Sequence, residues 1–250
     1  MKGFTLSIFL FFLIGFSFGQ SKFSVGFQGG VSKLSTFSSQ SMEELPGFSP
    51  YGTLSGVGLI YGAYEMNKNW FTKIGVGGVH LGMGSKLNGI NGNVQSLGNQ
   101  TINLQLVGSL GKNFFIGNKG WGSYLGAGIS MTQLDLSGDR VYTQVNADGI
   151  RFQGVVVTNR QGDMGEVLAN NLRIYNTSKN VLWHIRPELG VFKQFGKQKI
   201  SLAFIYGYKL REELFVVNYN SLLFFEKNYS EMHGTTGSFV SLQLGYEIKF

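Results

Sequence analysis

Residues Val240 to Phe250, within the closing stretch Ser238 to Phe250, alternate without a break. Val240, Leu242, Leu244, Tyr246, Ile248 and Phe250 hold the even positions, and Ser241, Gln243, Gly245, Glu247 and Lys249 hold the odd ones. A β-strand sends successive side chains to opposite faces, so a two-residue period sorts this stretch into one apolar and one polar side. In a helix of 3.6 residues per turn the same residues would be mixed around the axis. The period predicts a strand with two chemically different surroundings.

The other end of the chain is read differently. Met1-Lys2 leads into Phe4 to Phe18, fifteen residues broken only by Thr5, Ser7, Gly15 and Ser17. A spanning helix needs roughly 20 apolar residues, so this run is short for an anchor. A basic start, an apolar centre and small residues at Ser17 and Gly19 predict a secretory signal peptide over residues 1–19, with the mature domain over 20–250. The sequence has no cysteine, which removes lipidation at cysteine, disulfides and thiolate metal sites. No second long apolar run follows, so helical spans are excluded.

Composition narrows the class. The chain holds 37 glycines, 14% aromatics and only 14% charged residues, against about 25% charge in ordinary soluble domains. That profile suits β-structure with one face against lipid, where apolar and polar halves of each strand cancel in the mean hydropathy. The formal charge of +7 comes from scattered lysines such as Lys68, Lys112, Lys119, Lys197 and Lys199. Without a basic run or helix it argues for anionic headgroups rather than nucleic acid.

Seven further segments show the same period. They centre on Phe23–Ser32, Val57–Ala63, Trp70–Met83, Ile102–Leu110, Leu125–Met131, Val181–Val191 and Ile200–Leu210. The phase of the third slips at Gly77-Gly78, where a bulge is expected. In the second and third, Val57, Leu59, Tyr61 and Ala63, then Val79, Leu81 and Met83, are read as the apolar face. With the closing strand the total is eight.

The connections alternate in length. Tight turns are expected at Asn67-Lys68-Asn69, Asn118-Lys119-Gly120 and Gly196-Lys197-Gln198, and long loops over 33–52, 84–100, 137–180 and 212–237. Outer-membrane barrels have short periplasmic turns and long outer loops; a soluble lipocalin-like barrel, the competing reading, has no reason to sort its loops so. Trp70, Phe71, Trp121, Tyr124 and Phe250 fall at strand ends, where an interfacial girdle belongs. The expected fold is all-β: an eight-stranded antiparallel transmembrane β-barrel in the outer membrane of a Gram-negative bacterium.

Three features resemble the small outer-membrane β-barrels of the Bacteroidota, a group that includes OmpA-like barrels and the PorT family. They are the Gly19-Gln20 junction, the glycine-rich Phe23–Ser32 and the ending Gly245-Tyr246-Glu247-Ile248-Lys249-Phe250. The resemblance implies that Leu244, Tyr246, Ile248 and Phe250 serve as an assembly signal, with the barrel assembly machinery and outer-membrane lipid as partners.

Chemistry is sparse. So narrow a barrel is filled by side chains, and Arg186, Glu188, Lys209 and Glu247, with Lys73, His184, Arg211 and Lys249, are expected on the inner face as a salt-bridged polar network. The alternative for that face is a polar conduit or a proton-linked site. His80, His184 and His233 lack metal-ligand spacing, and no cofactor is implied. Some small outer-membrane barrels modify lipid A with His, Ser and an acid; His80 with Ser85, or His233 with Ser230 and Glu231, are the candidates, on residue types too common to carry weight. In the loops, Val141–Val145 and Ile150–Val157 read as a hairpin. Phe215, Leu222, Phe224 and Phe225 form an apolar stretch that either packs internally or meets a partner. The reading is a non-enzymatic subunit of a larger envelope complex; the alternatives are a lipid-modifying enzyme or a small-solute channel.

Overall fold

The computed structural model describes residues 22–39, 47–87, 95–117, 119–133, 140–143, 150–158, 164–176, 181–210, 215–224 and 227–250. For strand residues 86–87, 95–101, 140–176, 215–224 and 227–228 the description is of the backbone. The expected signal peptide over 1–19 lies outside the described residues.

Thirteen strands are described: β1 (Phe23–Ser39), β2 (Phe48–Gly52), β3 (Leu54–Glu65), β4 (Trp70–Leu87), β5 (Gln95–Ile116), β6 (Trp121–Gln133), β7 (Arg140–Thr143), β8 (Ile150–Thr158), β9 (Met164–Asn176), β10 (Val181–Phe195), β11 (Gln198–Lys209), β12 (Phe215–Phe224) and β13 (Lys227–Lys249). Eight of them form the wall in the order β1-β3-β4-β5-β6-β10-β11-β13, and β13 pairs back onto β1. Every neighbouring pair is antiparallel. Closure leaves the wall without an edge, which is what a sheet needs where no water can satisfy free backbone groups. The tight turns stand where the sequence places them, with Asn118 of the second lying outside the described residues. Lys68 and Asn69 have φ of 61° and 65°, Gly120 has 71° and Gly196 has 58°, the left-handed region that a two-residue reversal demands.

Paired residues on neighbouring strands share a face, so the register fixes what lipid sees. Ile60 pairs with Phe27 and with Val76, and all three point outward. Large apolar side chains from all eight wall strands are exposed, among them Ile74 at 61%, Leu104 at 50%, Leu189 at 56% and Leu244 at 60%. A soluble monomer rarely exposes a patch beyond a few hundred Å²; an apolar belt around a whole circumference belongs in hydrocarbon. Between Lys112 and Lys193 at one end and Lys33 and His80 at the other, no outward Lys, Arg, His, Asp or Glu interrupts the described wall. From Trp70 to His80 is ten steps of about 3.3 Å on a strand tilted by about 40°, hence a band about 25 Å tall, the height of a barrel's lipid belt.

Register also corrects three expectations. Val79, Leu81 and Met83 point into the barrel, because β4 runs through Gly77-Gly78 without a slip; the irregularity falls between His80 and Leu81, on the β5 side. On β3, Leu59, Tyr61 and Ala63 also face inward, since Tyr61 sits opposite the inward Gly26. Phe71 and Tyr124 leave the girdle for the interior, whereas Trp70, Trp121 and Phe250 remain outside. Alternation decides this: with Trp70 and Leu125 outward, their chain neighbours must turn in.

Within the membrane band the interior pairs large with small. Five large inward rings lie over a glycine directly across the ladder: Tyr61 over Gly26, Phe71 over Gly111, Phe192 over Gly122, Tyr124 over Gly190 and Phe239 over Gly207. A Cβ at Gly190 would stand 2.2 Å from the Tyr124 ring, so any side chain there would evict it. Small opposite large lets a narrow lumen fill to the density of a protein core.

The expected long loops are largely sheet. β1, β4, β5 and β13 continue past the apolar band, and β2 pairs with β4 there. The segment 137–180 supplies β7, β8 and β9, yet adds nothing to the barrel, because β6 pairs directly with β10. Instead β9 pairs with β12, and β12 with the outer half of β13, so the one sheet branches at the rim. β7 and β8 each pair with β9 rather than forming the expected hairpin with one another; the thirteen-residue β9 offers an edge long enough for both.

Candidate functional site

Two clusters of polar side chains are buried inside this wall, at different heights. The lower centres on Glu188, on the inner face of β10. Its carboxylate is 3.0 Å from the Lys73 ammonium, accepts from the Tyr124 hydroxyl at 2.6 Å and is 3.5 Å from the Gln28 amide. The Lys73 ammonium also lies 5.0 Å from the centre of the Tyr61 ring. Two charges taken out of water are tolerable only when paired and hydrogen-bonded, and these are both.

Towards the short turns, Glu247 accepts from Ser24 at 2.7 Å and from Tyr61 at 3.2 Å, with Lys199 at 3.8 Å. Lys249 pairs with Glu65 at the rim. The pocket among Tyr61, Lys73, Tyr124, Lys199 and Glu247 has a volume of about 10 Å³, the room of one water molecule. Arg186 is buried on the same face and donates to Gln105 at 3.5 Å. Lys209 is buried inward opposite His184, and its backbone N–H donates to the Ser238 hydroxyl at 3.2 Å. The predicted set thus divides among separate partners: Glu188 goes to Lys73, Glu247 to Lys199, and Arg186 to an amide. Tyr61, Tyr124 and Lys199 were missing from the prediction; the pairing of an inward ring with an opposite glycine is the signal that finds the tyrosines.

The upper cluster joins β4 to β13 beyond the apolar band. The Ser85 hydroxyl is 2.7 Å from His233 Nδ1, and His233 Nε2 is 2.9 Å from a Glu231 carboxylate oxygen. All three residues are buried, and the Phe48 ring of β2 lies 4.6 Å from the imidazole. The groups drawn from the sequence are rearranged: His233 keeps Glu231 but meets Ser85, and His80 bonds Ser55 at 3.4 Å. Strand pairing across 148 residues cannot be read from spacing. Among the described residues no group of three His, Asp or Glu could hold a metal.

At the seam, Leu244, Tyr246, Ile248 and Phe250 form one outward stripe, and the Phe250 N–H donates to the Phe23 carbonyl at 3.0 Å. Outside the wall, Lys112 and Lys193 fold over the girdle, with the Lys193 ammonium 4.9 Å from the centre of the Trp121 ring. Such lysines bury their stems and hold the charge at the headgroups. Phe215, Leu222 and Phe224 lie on β12 between β9 and β13; Phe225 lies outside the described residues.

No protein-family model matches the chain, and no curated protein matches its sequence. Among solved structures it is similar to the outer membrane protein OprG of Pseudomonas aeruginosa, at 13% identity and a TM-score of 0.48, over 93% of this chain and 98% of that one. It is also similar to Neisserial surface protein A, at 12% identity and a TM-score of 0.40 over 91% and 97%. The N-terminal barrel domain of Pseudomonas aeruginosa OprF aligns at 11% identity and a TM-score of 0.39 over 92% and 100%. Likenesses this distant carry no function across. The wall itself settles the class. A closed antiparallel barrel with an apolar belt, tight turns at one end and extended strands at the other is the architecture of Gram-negative outer-membrane proteins.

Proposed function

We propose that the protein is a scaffold of the outer membrane: a structural or accessory subunit whose outer strand extension is a contact surface for a larger envelope complex. One observation carries this reading. Among the described residues the lumen within the membrane band is filled by buried side chains, while the rim continues into a branched sheet ending in β7 and β8, whose far edges are unpaired among the described strands. An open edge is a template for a partner strand. β12, with Phe215, Leu222 and Phe224, lies within that sheet. A barrel of eight strands is only wide enough for its own side chains to fill, which disfavours the channel reading.

The outward stripe Leu244, Tyr246, Ile248 and Phe250 is the surface we assign to the assembly machinery, and the Gly245–Phe250 ending supports a place among the Bacteroidota, PorT-like barrels. The test is purification in mild detergent from cells carrying the full chain or a deletion of 215–225. A larger complex that dissolves on deletion supports the subunit role. A monomer in both cases, with no change in cells, removes it.

A further inference from the structure

The upper cluster lies outside the scaffold reading. Burial of polar groups alone would explain a Ser–His bond or a His–Glu bond, but here the two are in series. An ionised carboxylate only accepts, so in the neutral ring Nε2 carries the proton that faces Glu231, and Nδ1 presents its lone pair to the Ser85 O–H. A hydroxyl held on the free lone pair of an imidazole, itself oriented by a carboxylate, is the arrangement that makes serine a nucleophile.

The cluster sits on the inner face of the wall, at the height of the headgroups. Ser85 is five residues beyond His80, about 13 Å past the apolar band on a tilted strand, on the headgroup side. Met83, fully buried one step below on the same face, and Phe48 make the surroundings apolar. Phe48 lies on a five-residue strand whose ladder runs to β4, and its ring covers the imidazole.

We propose that Ser85, His233 and Glu231 form an ester-hydrolysing site that takes a carboxylic ester with an apolar acyl chain once Phe48 swings aside. Ser85 Oγ attacks the carbonyl carbon and its proton passes to His233 Nδ1. The same proton goes to the departing alkoxide as the acyl–oxygen bond breaks. Water, deprotonated by His233, then cleaves the acyl-serine, releasing the carboxylic acid and restoring the hydroxyl. Glu231 is a positioning residue: it fixes the ring and stabilises the imidazolium.

The experiment treats the folded full chain in detergent with an alkyl fluorophosphonate and follows fatty acid released from two kinds of vesicle, phospholipid alone and phospholipid with lipopolysaccharide. Ser85 is expected to carry the label. Ser85→Ala abolishes it, and His233→Gln slows it by about 10²–10⁴-fold, the usual worth of a general base. Phe48→Ala accelerates it. Glu231→Asp retains more labelling than Glu231→Ala at equal heat-modifiability, a difference that a purely structural contact would not produce. Release from one vesicle type identifies the source of the ester. The proposal falls if Ser85 stays unlabelled in both the wild type and Phe48→Ala, or if labelled protein releases fatty acid from neither vesicle. Neither result bears on the deletion test of the scaffold, so the two ideas fail separately.

Discussion

Glu188 and Glu231 are buried carboxylates inside the same closed wall, one within the membrane band and one beyond it. Glu188 meets the Lys73 ammonium and the Tyr124 hydroxyl. The ion pair is close and the phenol bond short, so the site is locked by charge, and its use is to let the lumen close. Glu231 meets an imidazole whose other nitrogen meets a hydroxyl. The serine proton can pass to the ring nitrogen it faces, and the carboxylate on the far side then faces an imidazolium. The same residue type, equally buried, is an anchor in one place and orients a base in the other; the partner decides.

Substitutions can break that contrast. The largest loss is expected from Glu188→Ala, which strands the Lys73 ammonium in the packed lumen at about 3–5 kcal/mol. Urea unfolding in lipid vesicles measures it. The double variant Lys73→Met/Glu188→Leu removes both charges and should recover most of that loss; equal damage from single and double variants would mean that the pair is not the anchor. On the opposite face, Leu189→Arg puts a charge into the lipid belt one residue from Glu188, at about 2–4 kcal/mol. Indifference to that change would place Leu189 in water. Glu231→Ala removes a hydrogen-bond partner from a ring rather than the counter-ion of an ammonium, so its unfolding penalty should be smaller, about 1–3 kcal/mol. A loss as large as that of Glu188→Ala would erase the distinction. Gly190→Val overpacks the Tyr124 ring at about 1–3 kcal/mol, and in the Tyr124→Ala background the penalty should vanish.

Much of the wall was legible because its signal is local. In β13 the outward and inward residues separate cleanly from Val240 onward, and in β10 the run from Val181 to Val191 does the same. β3 misled for a physical reason: both of its faces are apolar or glycine, so periodicity alone cannot say which meets lipid, and the register with Phe27 on β1 decides. The outer extension was less legible, since its strands pair across long stretches of chain and β7, β8 and β9 carry no clean alternation. The lumen residues Glu188 and Glu247 could be found by face, but their partners Lys73 and Lys199 come from strands distant in sequence. The Ser85–His233 contact shows the same limit: a residue type can be picked out, whereas its partner is set by how the sheet closes.

The claim beneath all of this is that each wall strand has a lipid face and a lumen face. The chain has no cysteine, so single cysteines can be placed in turn at Val240, Ser241, Leu242, Gln243 and Leu244, spin-labelled, and compared for collision with dissolved oxygen in lipid vesicles. High accessibility at 240, 242 and 244 with low accessibility at 241 and 243 is the predicted result. Uniform values along the stretch, or collision dominated by a water-soluble relaxant at the even positions, would contradict it.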